Sequence, residues 1–119
     1  MKPARLIMTL LAGLWVAGCG SDNKPANPDG GPTMAACTAY CTCMVMYCNS
    51  VVEPDGGTVN FTPGGTMSAC VSTCLQHAEW DLACRTTHCN NVPMNGGTND
   101  YKVIHCPHAV GMSNTCLPP

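Results

Sequence analysis

Twelve residues carry four cysteines, Cys37-Thr-Ala-Tyr-Cys41-Thr-Cys43-Met-Val-Met-Tyr-Cys48, and they constrain the fold more than any other stretch. At about 100° per helical residue, positions 37, 41, 44 and 48 fall in one narrow sector, so three cysteines and Met44 share a face while Cys43 points elsewhere. Cysteines four apart on one helix run side by side and do not converge, so they bond outward to other segments. The stretch is therefore expected to act as a post to which the rest of the domain is stapled.

The front of the chain sets the compartment. Residues 1–18 have the form of a lipoprotein signal peptide: Lys2 and Arg5 supply the positive start, and Leu6 to Val16 is an apolar run too short to span a bilayer comfortably. Val16-Ala17-Gly18-Cys19 then looks like a bacterial lipobox, with Cys19 as the residue that is diacylated and becomes the new N-terminus. Two or three acyl chains hold a protein firmly to a membrane surface where one is marginal. The expected partner of the N-terminus is therefore a membrane, reached through lipid alone. Gly20 and Ser21 follow the cysteine, without the adjacent aspartate of an inner-membrane retention signal, which favours the outer membrane. Residues 19–32 form the lipid-anchored tether, since GSDNKPANPDGGP holds no large apolar side chain. The folded domain is expected over 33–119.

Setting Cys19 aside leaves ten of the eleven cysteines: Cys37, Cys41, Cys43, Cys48, Cys70, Cys74, Cys84, Cys89, Cys106 and Cys116. An even number outside the reducing cytosol points to a disulfide framework, with five bridges and roughly 900 possible pairings. Such a framework is needed, because the aromatics beyond the leader are only Phe61, Trp80 and three tyrosines. The mature chain holds Lys24, Arg85 and Lys102 against seven acids, a net charge of −4. That balance excludes attraction to a phosphate backbone, and no nucleic-acid partner is expected.

A short internal repeat organises the domain. Gly30-Gly-Pro-Thr-Met-Ala-Ala-Cys37-Thr-Ala-Tyr-Cys41 aligns with Gly64-Gly-Thr-Met-Ser-Ala-Cys70-Val-Ser-Thr-Cys74 with one gap, each copy being a breaker, a threonine N-cap and C-x-x-x-C. Helices are expected at about 34–48 and 67–79, and a third from an Asp81 N-cap to Asn90. On the third, Cys84 and His88 share a face and Cys89 lies about 140° away from Cys84. DGG at 55–57, PGG at 63–65 and NGG at 95–97 mark turns. Thr58–Thr62 and Tyr101–His105 are candidates for short extended pieces that pair. The fold class is thus a small mainly-α disulfide-rich domain, with about three short helices, irregular Gly-rich loops and room for a minor two-stranded hairpin.

With C-x-x-Y-C at 37–41, C-x-x-x-C at 70–74, Cys84-Arg85-x-x-His88 and His105-Cys106-Pro107-His108-Ala109 ahead of Cys116, the chain resembles the cysteine-rich lipoproteins and envelope modules of myxobacteria and related deltaproteobacteria. The resemblance covers roughly 37–116. It implies an envelope location and this architecture, and supplies no reaction. The pattern of that group has eight cysteines, matching all but Cys43 and Cys89 here. Two cysteines added together to a pattern imply a bridge between them, Cys43 to Cys89. For the repeated ladders the favoured pairing is antiparallel, Cys37 to Cys74 and Cys41 to Cys70. Cys48, Cys84, Cys106 and Cys116 make up the remainder in an order left open.

His88, His105 and His108 form the one constellation that looks like a site. Three imidazoles suit zinc or copper. Against this stands a structural role, in which Arg85, His88 and His108 hydrogen-bond a loop onto the helix; it is the first expectation, since even pairing leaves no thiolate over. Met44 and Met46 suit Cu(I), yet core filling explains them equally. No C-x-x-C-H for haem, no C-x-x-C and no G-x-S-x-G occurs, and Cys41-Thr-Cys43 lacks a neighbouring base. The leading expectation is a non-enzymatic, lipid-anchored envelope protein that is structural or binding and carries no cofactor beyond the lipid on Cys19. The second is a metal-binding envelope lipoprotein using His88, His105 and His108.

Overall fold

Thr33, Thr66 and Asp81 each begin a helix by accepting a backbone N–H three residues on, from Ala36 at 3.1 Å, Ala69 at 3.3 Å and Cys84 at 2.9 Å. In the computed structural model, which describes residues 30–116, these caps open α1 (Met34–Tyr47), α2 (Met67–Gln76) and α3 (Leu82–Met94). A fourth helix, α4 (Asn99–Val110), follows the turn at Asn95–Thr98, where Gly96 and Gly97 take φ of 85° and 65°. The signal peptide, the lipidation site Cys19 and most of the tether lie outside the described residues. No described helix is long and apolar enough to cross a membrane.

Two expectations are corrected by α4. Tyr101–His105 is helical, not extended, because Thr98 starts a helix there and Cys106 and Ala109, three apart, are buried on one side. The β-branched Val103 and Ile104 gave a strand signal over too short a window to outweigh that periodicity. The hairpin forms instead between β1 (Val51–Val52) and β2 (Thr58–Val59), antiparallel, with Val51 opposite Val59 and the DGG turn between them. The first residue of α4 still meets it: the Asn99 amide accepts from the Val52 N–H at 3.0 Å and donates to the Val52 carbonyl at 2.7 Å, as a neighbouring strand would. The helix ends shift as well. α2 stops at Gln76, three residues early, and α3 continues past Asn90 to Met94 with Pro93 in its last turn.

The shared face of α1 is real: Cys37, Cys41, Met44 and Cys48 are all fully buried, with Tyr40 beside them. Each cysteine of α1 and its C-cap leads to another helix. Cys37–Cys74 and Cys41–Cys70 join α1 to α2 in the antiparallel ladder, Cys43–Cys89 joins it to α3, and Cys48–Cys106 joins it to α4. The fifth bridge, Cys84–Cys116, ties α3 to the short 3₁₀ turn after α4. With so few large apolar residues, sulfur and Tyr40 occupy the centre that Leu and Phe fill in larger domains.

Around that centre one polar cluster fixes the end of α4. The Tyr40 hydroxyl donates to the Ala109 carbonyl at 3.0 Å, and Tyr40 meets Trp80 edge to face at 6.2 Å. Arg85 lies 4.2 Å above the Trp80 ring and donates to the Val110 carbonyl. Burial pushes the Tyr40 phenol from 10.0 up to about 12, against the opposing charge and hydrogen bonding of Arg85. A folded-state pKa raised above the unfolded one gives stability that is complete below pH 10 and is lost as pH rises through about 12. We therefore expect alkaline denaturation curves of the wild type to steepen between those values, and Tyr40→Phe to remove that component. Phenolate absorbance followed alongside circular dichroism checks this.

Candidate metal centre

α3 and α4 form a helical hairpin and make the most extensive helix pair in the domain. No disulfide joins the two helices directly through their bodies; Cys89 and Cys106 each tie one of them to α1. The hairpin is therefore held from behind, and its other side carries His88 from α3 with His105 and His108 from α4. His105 and His108, three residues apart, project from adjacent positions on one helical face. No bridge from Cys106 to the third helix draws His88 near: Cys106 goes to Cys48 at the end of α1, and helix packing through the Asn95–Thr98 turn brings the histidines together.

One ring nitrogen from each of the three histidines lies within 4.8 Å of the others. The Nδ1 atoms of His88 and His105 are 3.4 Å apart. Two ligands on one tetrahedral zinc, each at about 2.05 Å, sit roughly 3.3 Å from each other, so this edge already has the spacing of a chelate. The His108 ring stands perpendicular to that of His88 at 87°, with centroids 4.9 Å apart. Its Nδ1 is buried and has no hydrogen-bond partner. Such an orphaned nitrogen costs about 1–3 kcal/mol unless a partner satisfies it. Tyr101 stacks parallel on His105 with centroids at 6.3 Å and limits how that ring can turn.

The electrostatics keep the site in the form a metal takes. Burial, then the neighbouring histidines, hold His88 below the ordinary range, and burial followed by His108 does the same for His105. Both rings are thus neutral at neutral pH and present lone pairs. Among the described residues no carboxylate joins the cluster.

The hydrogen-bonding role expected for Arg85, His88 and His108 divides. Arg85 does lock the end of α4 to α3, whereas among the described residues the side-chain contact at hydrogen-bonding range made by these histidines is the one between His88 and His105. A second group also surrounds His88: Cys84 and Cys116 bring their sulfurs within the same 4.8 Å limit, as partners in a disulfide. The shared face of Cys84 and His88 was legible in the sequence, but nothing there located Cys116. Met44 is buried in the core and Met46 is exposed. No protein-family model matches the chain, and neither does any curated protein or solved structure, so the functional reading rests on the geometry of this site.

Proposed function

We propose that this chain is a lipid-anchored, extracytoplasmic binding protein whose disulfide-stapled domain holds one divalent transition metal ion, zinc or copper, through His88, His105 and His108. The observation that carries the reading is the convergence of the three imidazoles, with the 3.4 Å edge between His88 and His105. The lipobox at Val16–Cys19, the even set of ten remaining cysteines and the resemblance to myxobacterial envelope lipoproteins support the location. Three neutral nitrogen ligands leave the ion its positive charge and a further position for water or a partner's side chain. We read the role as binding or metal handling, in keeping with the structural or binding character expected from the sequence.

Calorimetric titration of zinc into the oxidised, metal-free protein tests the reading. One equivalent is expected to bind with a dissociation constant on the order of micromolar or below. His105→Ala and His108→Ala should each weaken binding about 100-fold while leaving the five bridges and the circular dichroism unchanged. Free zinc at about 100 times the dissociation constant should stabilise the domain by about 2.7 kcal/mol. Absence of binding to the wild type would remove the proposal.

A further inference from the structure

We infer that the Cys84–Cys116 disulfide masks a second, softer metal site, and that its reduction on the folded protein creates a thiolate–imidazole centre from Cys84, Cys116 and His88. The sulfurs of both cysteines and a ring nitrogen of His88 already lie within 4.8 Å of one another. Zinc–sulfur bonds of about 2.3 Å and zinc–nitrogen bonds of about 2.0 Å put tetrahedral ligands within roughly 4 Å of each other, so small side-chain rotations suffice. The inference rests on the proposed histidine site in that the two share His88, and it states how that site changes with redox state.

This bridge differs from the other four in access and in what it holds. The cysteines of the other four are all buried, Cys43 being the least covered at 7 % exposure. Cys84 alone is half-buried, on the first turn of α3. A reductant reaches Cys84 first. The four inaccessible bridges fix α1 to α2, α3 and α4, while Cys84–Cys116 retains only the 3₁₀ turn at Asn114–Cys116. Opening it leaves the helical frame, and the histidines on it, in place. The Arg85 bond to the Val110 carbonyl keeps the chain leading to Cys116 against α3.

The chemistry balances with a dithiol as reductant. Its thiolate attacks Cys84 Sγ, forming a mixed disulfide and releasing Cys116 as a thiolate. The second thiol of the reductant then closes onto its own sulfur and releases Cys84. Two electrons and two protons pass from the dithiol, which becomes a cyclic disulfide. A metal ion binding both sulfurs as thiolates returns two protons to solvent. Two thiolates in the donor set favour zinc or Cu(I) over the harder divalent ions.

The test uses the full mature protein, limited dithiol treatment without denaturant, and Co²⁺ as the probe. Alkylation and mass mapping are expected to find Cys84 and Cys116 modified before any other cysteine. Co²⁺ added to the partly reduced protein should give a thiolate-to-cobalt charge-transfer band and bind about 100-fold more tightly than to the oxidised form. The Cys84→Ser/Cys116→Ser double variant should show neither the band nor the gain, while keeping the affinity of the oxidised wild type. His105→Ala/His108→Ala separates the two readings: the charge-transfer band should be retained after reduction whether or not the oxidised wild type binds metal, and its loss in this variant counts against the inference. Another bridge opening first, or partial reduction that yields no charge-transfer band, would overturn it.

Discussion

Complete reduction of the five disulfides is expected to unfold the domain in water at room temperature, without denaturant. The bridges span 29 to 58 residues of sequence. Loops of such length correspond to about 3–5 kcal/mol each in the chain-entropy account. The loops interlock, so the values do not simply add, but even about 10 kcal/mol in total equals the whole stability of an ordinary domain. Nothing else here compensates. The fully buried side chains larger than cysteine are Tyr40, Met44, Val51 and Val92. α1 shows why the helices fail together: four of the five bridges leave from it and its C-cap Cys48, so their loss releases α2, α3 and α4 at once. Far-ultraviolet circular dichroism after full reduction should show loss of the helical signal and of any cooperative melt. A reduced protein that still melts cooperatively would mean that packing, and not cross-linking, holds the fold.

Arg85→Ala is expected to destabilise the oxidised protein by about 3–5 kcal/mol, more than any other single replacement outside the cysteines. The side chain is 6 % exposed, and among the described residues no carboxylate pairs with it. Its charge is held by the Trp80 face and the Val110 carbonyl, worth about 2 kcal/mol and about 1–3 kcal/mol when desolvated. Truncation also leaves a cavity and an unpaired carbonyl at the end of α4. Gly111 shows how tightly the space is filled: its φ is 85°, and a Cβ there would stand 2.2 Å from the guanidinium. Arg85→Lys is not expected to rescue, because an ammonium cannot lie flat on Trp80 and reach Val110 together. The cluster closes on residues directly after His108, so the variant should also weaken zinc binding. Denaturant midpoints of the oxidised proteins measure the stability change; one below about 1 kcal/mol would contradict this account.

Much of the framework could be read from residue spacing. The N-caps Thr33, Thr66 and Asp81 and the buried face of α1 follow from helical periodicity and hydrogen-bonding chemistry, which act locally. The two ladder bridges follow from the repeat, and Cys43–Cys89 from the resemblance. The destinations of Cys48, Cys84, Cys106 and Cys116 depended on α4, whose Tyr101–His105 segment has local strand character and becomes helical through the packing of Cys106 and Ala109. The candidate site was legible as a set of three residues. Its geometry was not, because His88 meets His105 through the α3–α4 turn and not through a disulfide. Trp80 and Tyr40 were visible only as scarce aromatics; their part in clamping α4 comes from contacts distant in sequence.

X-ray absorption at the zinc edge of the loaded protein is the most direct test of a metal held by His88, His105 and His108 in the fully oxidised domain. It should show an inner shell with three imidazole nitrogens at about 2.0 Å and no sulfur. A shell of oxygen alone, or of sulfur while all five disulfides remain intact, would contradict it.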